Sequence, residues 1–445
     1  MKITNTQQLI DQAKFNKYHL MILLWCSFLM IFDGFDLTVY GAVVPVLMKN
    51  WNISPIEAGV LGSYALFGMM FGAMIFGTLA DKLGRKKVIL ICVCIFSIFM
   101  ILTALTTSPG AFGLCRFITG LGLGGVMPNV IALISEYSPK ALRSRMVSIM
   151  MAGYSIGGMI AATLSIVLVP NFGWQSVFFF AGLPLLFIPF MIRYLPDTIG
   201  SHLARKEITK TKEILGKLNP LYSPDYGEQL TINSSTKSSF PVFTLFKERR
   251  GISTILFWIA FFMSLLMVYG LNTWLPKLMT TAGFPLGSSL SFLLALNIGA
   301  TIGAFVMGWL ADTWGAKRIL ILFYSLAALT IMCLGYAHNM FLLYLLVALA
   351  GAATIGTQNI ANSYVSQYYP ISMRSTGLGW ALGIGRIGAI VGPTVGGILL
   401  SSGTSIQFNF IAFAIPGAIA AFVIYLTNNK LSSLTIHEDQ TEQFT

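Results

Sequence analysis

The chain has 445 residues, of which 56% are hydrophobic and only 10% charged, and its mean hydropathy is +0.76. An ordinary soluble domain carries about 25% charged residues, so these values exclude one and place the chain in a membrane. The net charge of +12 does not indicate a nucleic-acid partner: Lys49 and Lys277 fall in loops on one side, Arg116 and Arg386 fall within apolar runs, and the remaining 24 of 28 Lys and Arg fall on the other side. That is the positive-inside pattern, with both termini in the cytoplasm of a multi-pass protein of the cell membrane.

A spanning helix needs roughly 20 mostly apolar residues. Twelve such runs begin near residues 20, 57, 88, 111, 146, 175, 251, 287, 318, 341, 375 and 406. They are long and uninterrupted, which favours helices over the short alternating segments of a β-barrel. Residues 1–19 are polar and the first run has no small-residue cleavage site, so it is expected to stay as a span rather than leave as a signal peptide. All five Cys fall in predicted spans without metal-ligand spacing and read as packing residues; no metal site is expected.

The first run contains "FDGFDLTVYG", residues 32–41. Splitting the run there leaves two pieces too short to span, so Asp33 and Asp36 must lie inside the membrane. Counting from Leu20 at about 1.5 Å per residue puts Asp33 about 20 Å in and Asp36 one turn farther, on one helix face that Tyr40 extends. An ionisable residue in a span costs on the order of 3 kcal/mol or more, so it faces a wet cavity or a partner, and function is the default reading. Structural pairing with a neighbouring helix is the alternative.

Next along the chain, "GTLADKLGRKK" (77–87) joins spans two and three. Gly84 permits a tight turn, and the Asp81 carboxylate can meet a basic side chain or a helix end, so Asp81, Gly84 and Arg85 read as a conformational latch. A merely solvated turn explains the basic residues but explains Asp81 less well. Span four carries Arg116 and ends at Glu136, followed by Arg143; the last two read as gate or loop partners. Tyr40, Tyr154 in span five and Gln358 in span ten are weak candidates for substrate contact, since each could equally be interhelical glue or an interface aromatic. Residues 196–250 form a polar linker, with a short helix expected in "SHLARKEITKTKEILGKL". It separates an N-terminal six-helix bundle (1–195) from a C-terminal one (251–426), before a cytoplasmic tail (427–445). The four His fall at or beyond span ends, against an intramembrane His relay.

The two halves share one template. A shift of 231 positions aligns "GTLADKLGRKK" with "GWLADTWGAKR" (308–318), with six identities in eleven, and brings Asp81 onto Asp312. The same shift, without a gap, aligns "YSPKALRSR" (137–145) with "YYPISMRST" (368–376), so that Arg143 matches Arg374, and Pro45 with Pro276. Such a duplication implies two bundles. Against this template the intramembrane charges are departures: Asp33 and Asp36 match Ser264 and Met267, Arg116 matches Val347, and Arg386 matches Ser155. The scaffold does not need them. A carboxylate in a low-dielectric site can bind a proton near neutral pH, whereas Arg stays charged and offers a fork suited to another carboxylate. Acids for protons and Arg for an anion, with Arg386 near mid-span as the candidate substrate anchor, is the division of labour this suggests.

"GTLADKLGRKK", its weaker copy and "RFITGLGLGG" in span four together resemble the major facilitator superfamily over nearly the whole chain. "DGFDLTVYGAVVP" and "RSTGLGWALGIGRIGAIVGP" resemble its aromatic acid:proton symporters of the benzoate and muconate type. The resemblance implies an all-α fold of 12 transmembrane helices, an aromatic substrate, and a position for Arg116 across from the acids of span one, coupling protonation to substrate binding. About five residues in from the outer end of span four, Arg116 can reach the level of Asp36.

The expected function is a proton-coupled symporter that imports a small organic carboxylate, such as benzoate or a hydroxybenzoate, by alternating access. Muconate as cargo, or efflux, are the transport alternatives. A membrane receptor would need a soluble module larger than the linker supplies. No nucleophile, metal or acid/base constellation of an enzyme is apparent, so no catalytic residue is named. The expected partners are the organic anion, protons and the lipid bilayer; the chain is expected to act as a monomer without a cofactor, driven by the proton gradient.

Overall fold

The computed structural model describes residues 3–205, 207–220, 222, 229–231, 242–246, 250–370 and 373–428. Among them, 12 helices are long and apolar enough to cross a membrane: Lys17–Trp51, Pro55–Ala80, Arg85–Ala104, Pro109–Tyr137, Arg143–Phe172, Gln175–Tyr194, Gly251–Thr281, Leu286–Trp314, Ala316–Leu334, Met340–Tyr368, Thr376–Ser401 and Ile406–Leu426. They are numbered here as spans one to twelve. The helical architecture read from the sequence is therefore present, and the reason is local: in hydrocarbon every backbone N–H and C=O must be satisfied within its own segment, which a helix does. Polar caps mark the starts. Ser108 accepts from the Ala111 amide ahead of span four, Asn339 from the Phe341 and Leu342 amides ahead of span ten, and Ser405 from the Phe408 amide ahead of span twelve.

Span one runs unbroken for 35 residues through "DGFD". At 1.5 Å per residue that is about 52 Å, well beyond the roughly 30 Å hydrocarbon core. Pro45 lies inside this helix, and its repeat counterpart Pro276 lies inside span seven. Span six is less regular: its helices Gln175–Ala181 and Pro184–Tyr194 meet at Gly182, just before a proline.

Outside the spans, the linker forms helices Ile199–Ala204 and Ile208–Leu218. A short parallel strand pair, Ile3–Asn5 with Gln229–Thr231, adds β-structure that the sequence did not announce. Three-residue strands are too short for a period-two pattern to be read. The same region is tied by the Asn16 side chain, whose amide donates to the carbonyls of Lys217 (2.9 Å) and Leu218 (3.0 Å). Residues 223–228, 232–241 and the tail from 429 lie outside the described residues, so the expected linker and tail are only partly covered.

Packing divides the described residues into two compact units. The first holds those within 1–36, 67–158 and 175–237; the second holds those within 37–66, 159–174 and 238–445. In the second unit the hairpin of residues 37–66 packs on spans seven and eleven. Ser63 Oγ donates to the Ile390 carbonyl at 2.6 Å, Trp274 Nε1 donates to the Pro393 carbonyl at 2.7 Å, and Gly41 lies against the Asn272 backbone.

The template repeats at atomic detail. Gly84 (φ 92°) caps span three and Gly315 (φ 87°) caps span nine, 231 residues later. Both occupy backbone that only glycine adopts without strain. They differ in surroundings: a Cβ on Gly84 would meet the Asp197 carboxylate at 2.6 Å, whereas nothing lies within 4 Å of one on Gly315. Gly84→Ala should therefore destabilise the protein more than Gly315→Ala, which suffers backbone strain alone at about 1 kcal/mol or somewhat more. Thermal unfolding of the two purified variants in one detergent measures this; equal losses would show that the carboxylate simply swings aside.

Candidate functional site

The first unit brings Asp36 of span one and Arg116 of span four into a two-pronged ion pair. Arg116 Nη1 donates to Asp36 Oδ1, and Nη2 donates to Oδ2 at 3.2 Å. The side chains are 4% and 2% exposed. Around the guanidinium stand the Phe178 ring of span six, 5.9 Å from ring centroid to Arg116 Cζ, and the Met100 sulfur of span three at 3.7 Å. Fork geometry suits a carboxylate, and in so dry a place either charge alone would cost several kcal/mol. Asp33, one turn earlier on span one, is also buried, at 2% exposure.

The glycine between the two acids has its own task. A Cβ on Gly34 would collide with the Tyr154 backbone carbonyl, and one on Gly157 with the Ile31 carbonyl, so spans one and five touch backbone to backbone beside the acids. Small residues permit such approach, which drives helix association in lipid. Tyr154, a sequence candidate, is thus held at the level of Asp33.

Three other candidates belong to the second unit. Tyr40 is buried and its hydroxyl donates to the Ala58 carbonyl, joining span one to span two. Gln358 of span ten accepts from Ser264 Oγ of span seven and donates to Asn362 Oδ1, both at 3.3 Å. Arg386 lies half-buried in span eleven.

The expected gate residues are placed as follows. Glu136 and Arg143 are not paired: Glu136 accepts from the Gly200 amide at 3.3 Å, while Arg143 bridges to Asp11 at 2.5 Å and donates to the Ser138 carbonyl at 3.2 Å. Arg85, half-buried in the first turn of span three, is close enough to Glu136 to act on it electrostatically. Asp81 has its backbone in the last turn of the helix Pro55–Leu83, but its side chain lies outside the described residues. Asp312 is exposed at the end of span eight, and Arg374 opens the helix of span eleven with its Nε buried and without a hydrogen-bond partner among the described residues.

Sequence reasoning missed Asp197. This buried carboxylate accepts from the Lys86 amide at 3.3 Å, its own neighbour Thr198 at 2.9 Å, and Arg205 Nη1 at 3.0 Å, capping span three from the far end of the half. Arg205 also donates to the Leu83 carbonyl, closing the turn. A signal was available: the 231-residue shift carries Asp197 onto Asn428, and the bond from the Tyr137 hydroxyl to the Asp197 carbonyl recurs as Tyr368 to Asn428. Among the described residues no cluster of His, Cys, Asp or Glu could hold a metal ion.

Twelve spans built on one repeated template, with an ion pair sunk in the first copy, define a polytopic membrane carrier. The chain belongs to the Major Facilitator Superfamily, which it matches over residues 26–303 and 288–442. It is 43% identical to the benzoate transport protein of Acinetobacter baylyi over 433 residues, covering 96% of this chain and 93% of that one. With the gentisate transporter of Corynebacterium glutamicum the identity is 39% over 400 residues, covering 89% and 85%. Among solved structures, a D-xylose-proton symporter shares the fold with a TM-score of 0.75 at 17% identity, covering 94% of this chain and 100% of that one.

The ion pair generates a stability prediction. Arg116→Ala strands a carboxylate in a dry site and should cost about 3–5 kcal/mol, whereas adding Asp36→Asn removes the stranded charge and should recover much of that loss. Unfolding of the single and double variants in detergent tests it. Additive losses would mean that the two side chains do not act as a unit.

Proposed function

We propose that the chain imports an aromatic carboxylate, benzoate or a hydroxylated relative, together with protons across the cell membrane by alternating access. The observation that carries this reading is the buried Asp36–Arg116 pair in a chain so similar to a benzoate transport protein. The pair is a proton-sensitive element: protonating Asp36 cancels its charge and leaves Arg116 uncompensated, a cost that an arriving anion relieves. Asp33 is the second proton site. Arg386 anchors the substrate carboxylate, a task for which a permanently charged planar fork is suited. Tyr40, Tyr154 and Gln358 contact the substrate.

The turn with Asp81, Gly84 and Arg85, its copy at Asp312, and Glu136, Arg143 and Arg374 serve gating. The Lys and Arg distribution supports cytoplasmic termini, and that orientation puts Gly84 and Asp197 on the inner side. The carrier works as a monomer on the proton gradient, with no cofactor and no nucleic-acid partner.

Cells expressing the protein should accumulate labelled benzoate or a hydroxybenzoate uphill, and a protonophore should abolish that accumulation. Accumulation that survives the protonophore would remove the proton, and uptake restricted to aliphatic acids such as muconate would remove the aromatic cargo. Asp33→Asn and Asp36→Asn should each lose uphill accumulation, while substrate counterflow persists because exchange need not release the proton. Proton-driven accumulation retained by both variants would overturn the role given to the acids.

Arg386→Lys keeps the charge and loses the fork, so apparent affinity should fall about tenfold or more. Unchanged affinity in a transport assay would reassign Arg386 to helix packing.

A further inference from the structure

Span ten changes character halfway along. Its first part, Met340–Gly351, reads "MFLLYLLVALAG"; its last, Thr357–Tyr368, reads "TQNIANSYVSQY"; a π-helical turn, Ala352–Gly356, joins them. A π turn takes in an extra residue and so rotates the face that follows by about 100° relative to a continuous α-helix. Span eight backs the turn closely. Cβ atoms on Gly299, Gly303 and Gly351 would run into Ala348, Ala352 and Leu296 respectively.

Beyond the turn, Asn359, Ser363 and Gln367 form an exposed row at i+4 spacing, with Gln358, Asn362 and Ser366 half-buried beside it. Polar side chains exposed at membrane depth face water, not hydrocarbon. The template does not require them. Under the 231-residue shift the first half holds Met127, Pro128, Ile131 and Ala132 where the second holds Gln358, Asn359, Asn362 and Ser363. Ser264, which orients Gln358, stands where the first half has Asp33. At these positions the first copy departs toward charge and the second toward neutral hydrogen bonding, although the second also carries Arg386 in span eleven.

Ser264 donates to Gln358, and Gln358 donates to Asn362, each at 3.3 Å. These are long bonds and they fix the order of the chain without exhausting it. One Nε2–H of Gln358 and both Nδ2–H of Asn362 have no protein partner among the described residues. Amide donors beside an amide oxygen complement a phenolic hydroxyl, which accepts through oxygen and donates its proton.

We propose that Gln358 and Asn362, set by the π turn and oriented by Ser264, bind a ring hydroxyl and make this chain selective for hydroxylated over unsubstituted aromatic carboxylates. The proposal rests on the aromatic-acid reading above and adds which member of the class is preferred. A site built to hydrogen-bond a hydroxyl discriminates against the analogue lacking it far better than an apolar pocket discriminates by size.

Competition by benzoate and by 2-, 3- and 4-hydroxybenzoate against labelled uptake tests this. The parent protein should prefer at least one hydroxybenzoate isomer to benzoate. Asn362→Leu should reduce that preference about tenfold while leaving benzoate affinity within about threefold, and Gln358→Leu should reduce the preference at least as much, whatever it does to benzoate. Ser264→Ala should act in the same direction more weakly. A role in helix packing alone would weaken all four acids alike, so an unchanged preference in both Leu variants, or no preference in the parent, overturns the proposal. Failure of the parent to carry any aromatic acid would instead overturn the transport reading, and this proposal with it.

Discussion

The ion pair of Asp36 with Arg116 constrains everything around it in the first unit. Neither partner can be left alone in so dry a site, so spans one and four must hold their register to within a side chain's reach. Span three contributes Met100 and span six Phe178 to the enclosure, and four helices are thereby committed to one arrangement. A pair of this kind adds little net stability over an apolar replacement.

Lipid supplies no hydrophobic force to bring the helices together, so close contact has to come from shape. Gly34 and Gly157 let spans one and five meet at the backbone beside the acids, and Gly299, Gly303 and Gly351 do the same for spans eight and ten beside the π turn. Both places combine bare backbone contact with polar side chains that membrane composition does not favour. Close packing fixes the helices there, and the polar groups are free to be chosen for chemistry.

Duplication separates the shared template from what each copy holds alone within this single chain. Features kept in both copies belong to the shared template: Gly84 and Gly315 with positive φ, Pro45 and Pro276 inside long helices, Tyr137 and Tyr368 bonded to the carbonyls of positions 197 and 428. Features held by one copy concentrate in three places, the charges of spans one and four, Arg386 of span eleven and the amides of span ten. Asp197 combines both: its backbone follows the template while its carboxylate, matched only by Asn428, caps span three in the first half.

By itself the sequence determined the membrane class, the twelve spans, the repeat and the intramembrane position of Asp33, Asp36 and Arg116, because hydropathy, helix rise and a constant shift are properties of the chain alone. It also indicated that Arg116 could reach Asp36, since depth along a helix can be counted. Only the tertiary structure decided partners. That Arg143 takes Asp11 in place of Glu136, that Tyr40 spends its hydroxyl on Ala58, and that Asp197 closes the turn at Gly84 all depend on side chains brought together from distant positions. The π turn in span ten was equally hidden, because its residues, "AATIG", are compatible with an ordinary helix and it is close packing against span eight that accompanies the change of pitch.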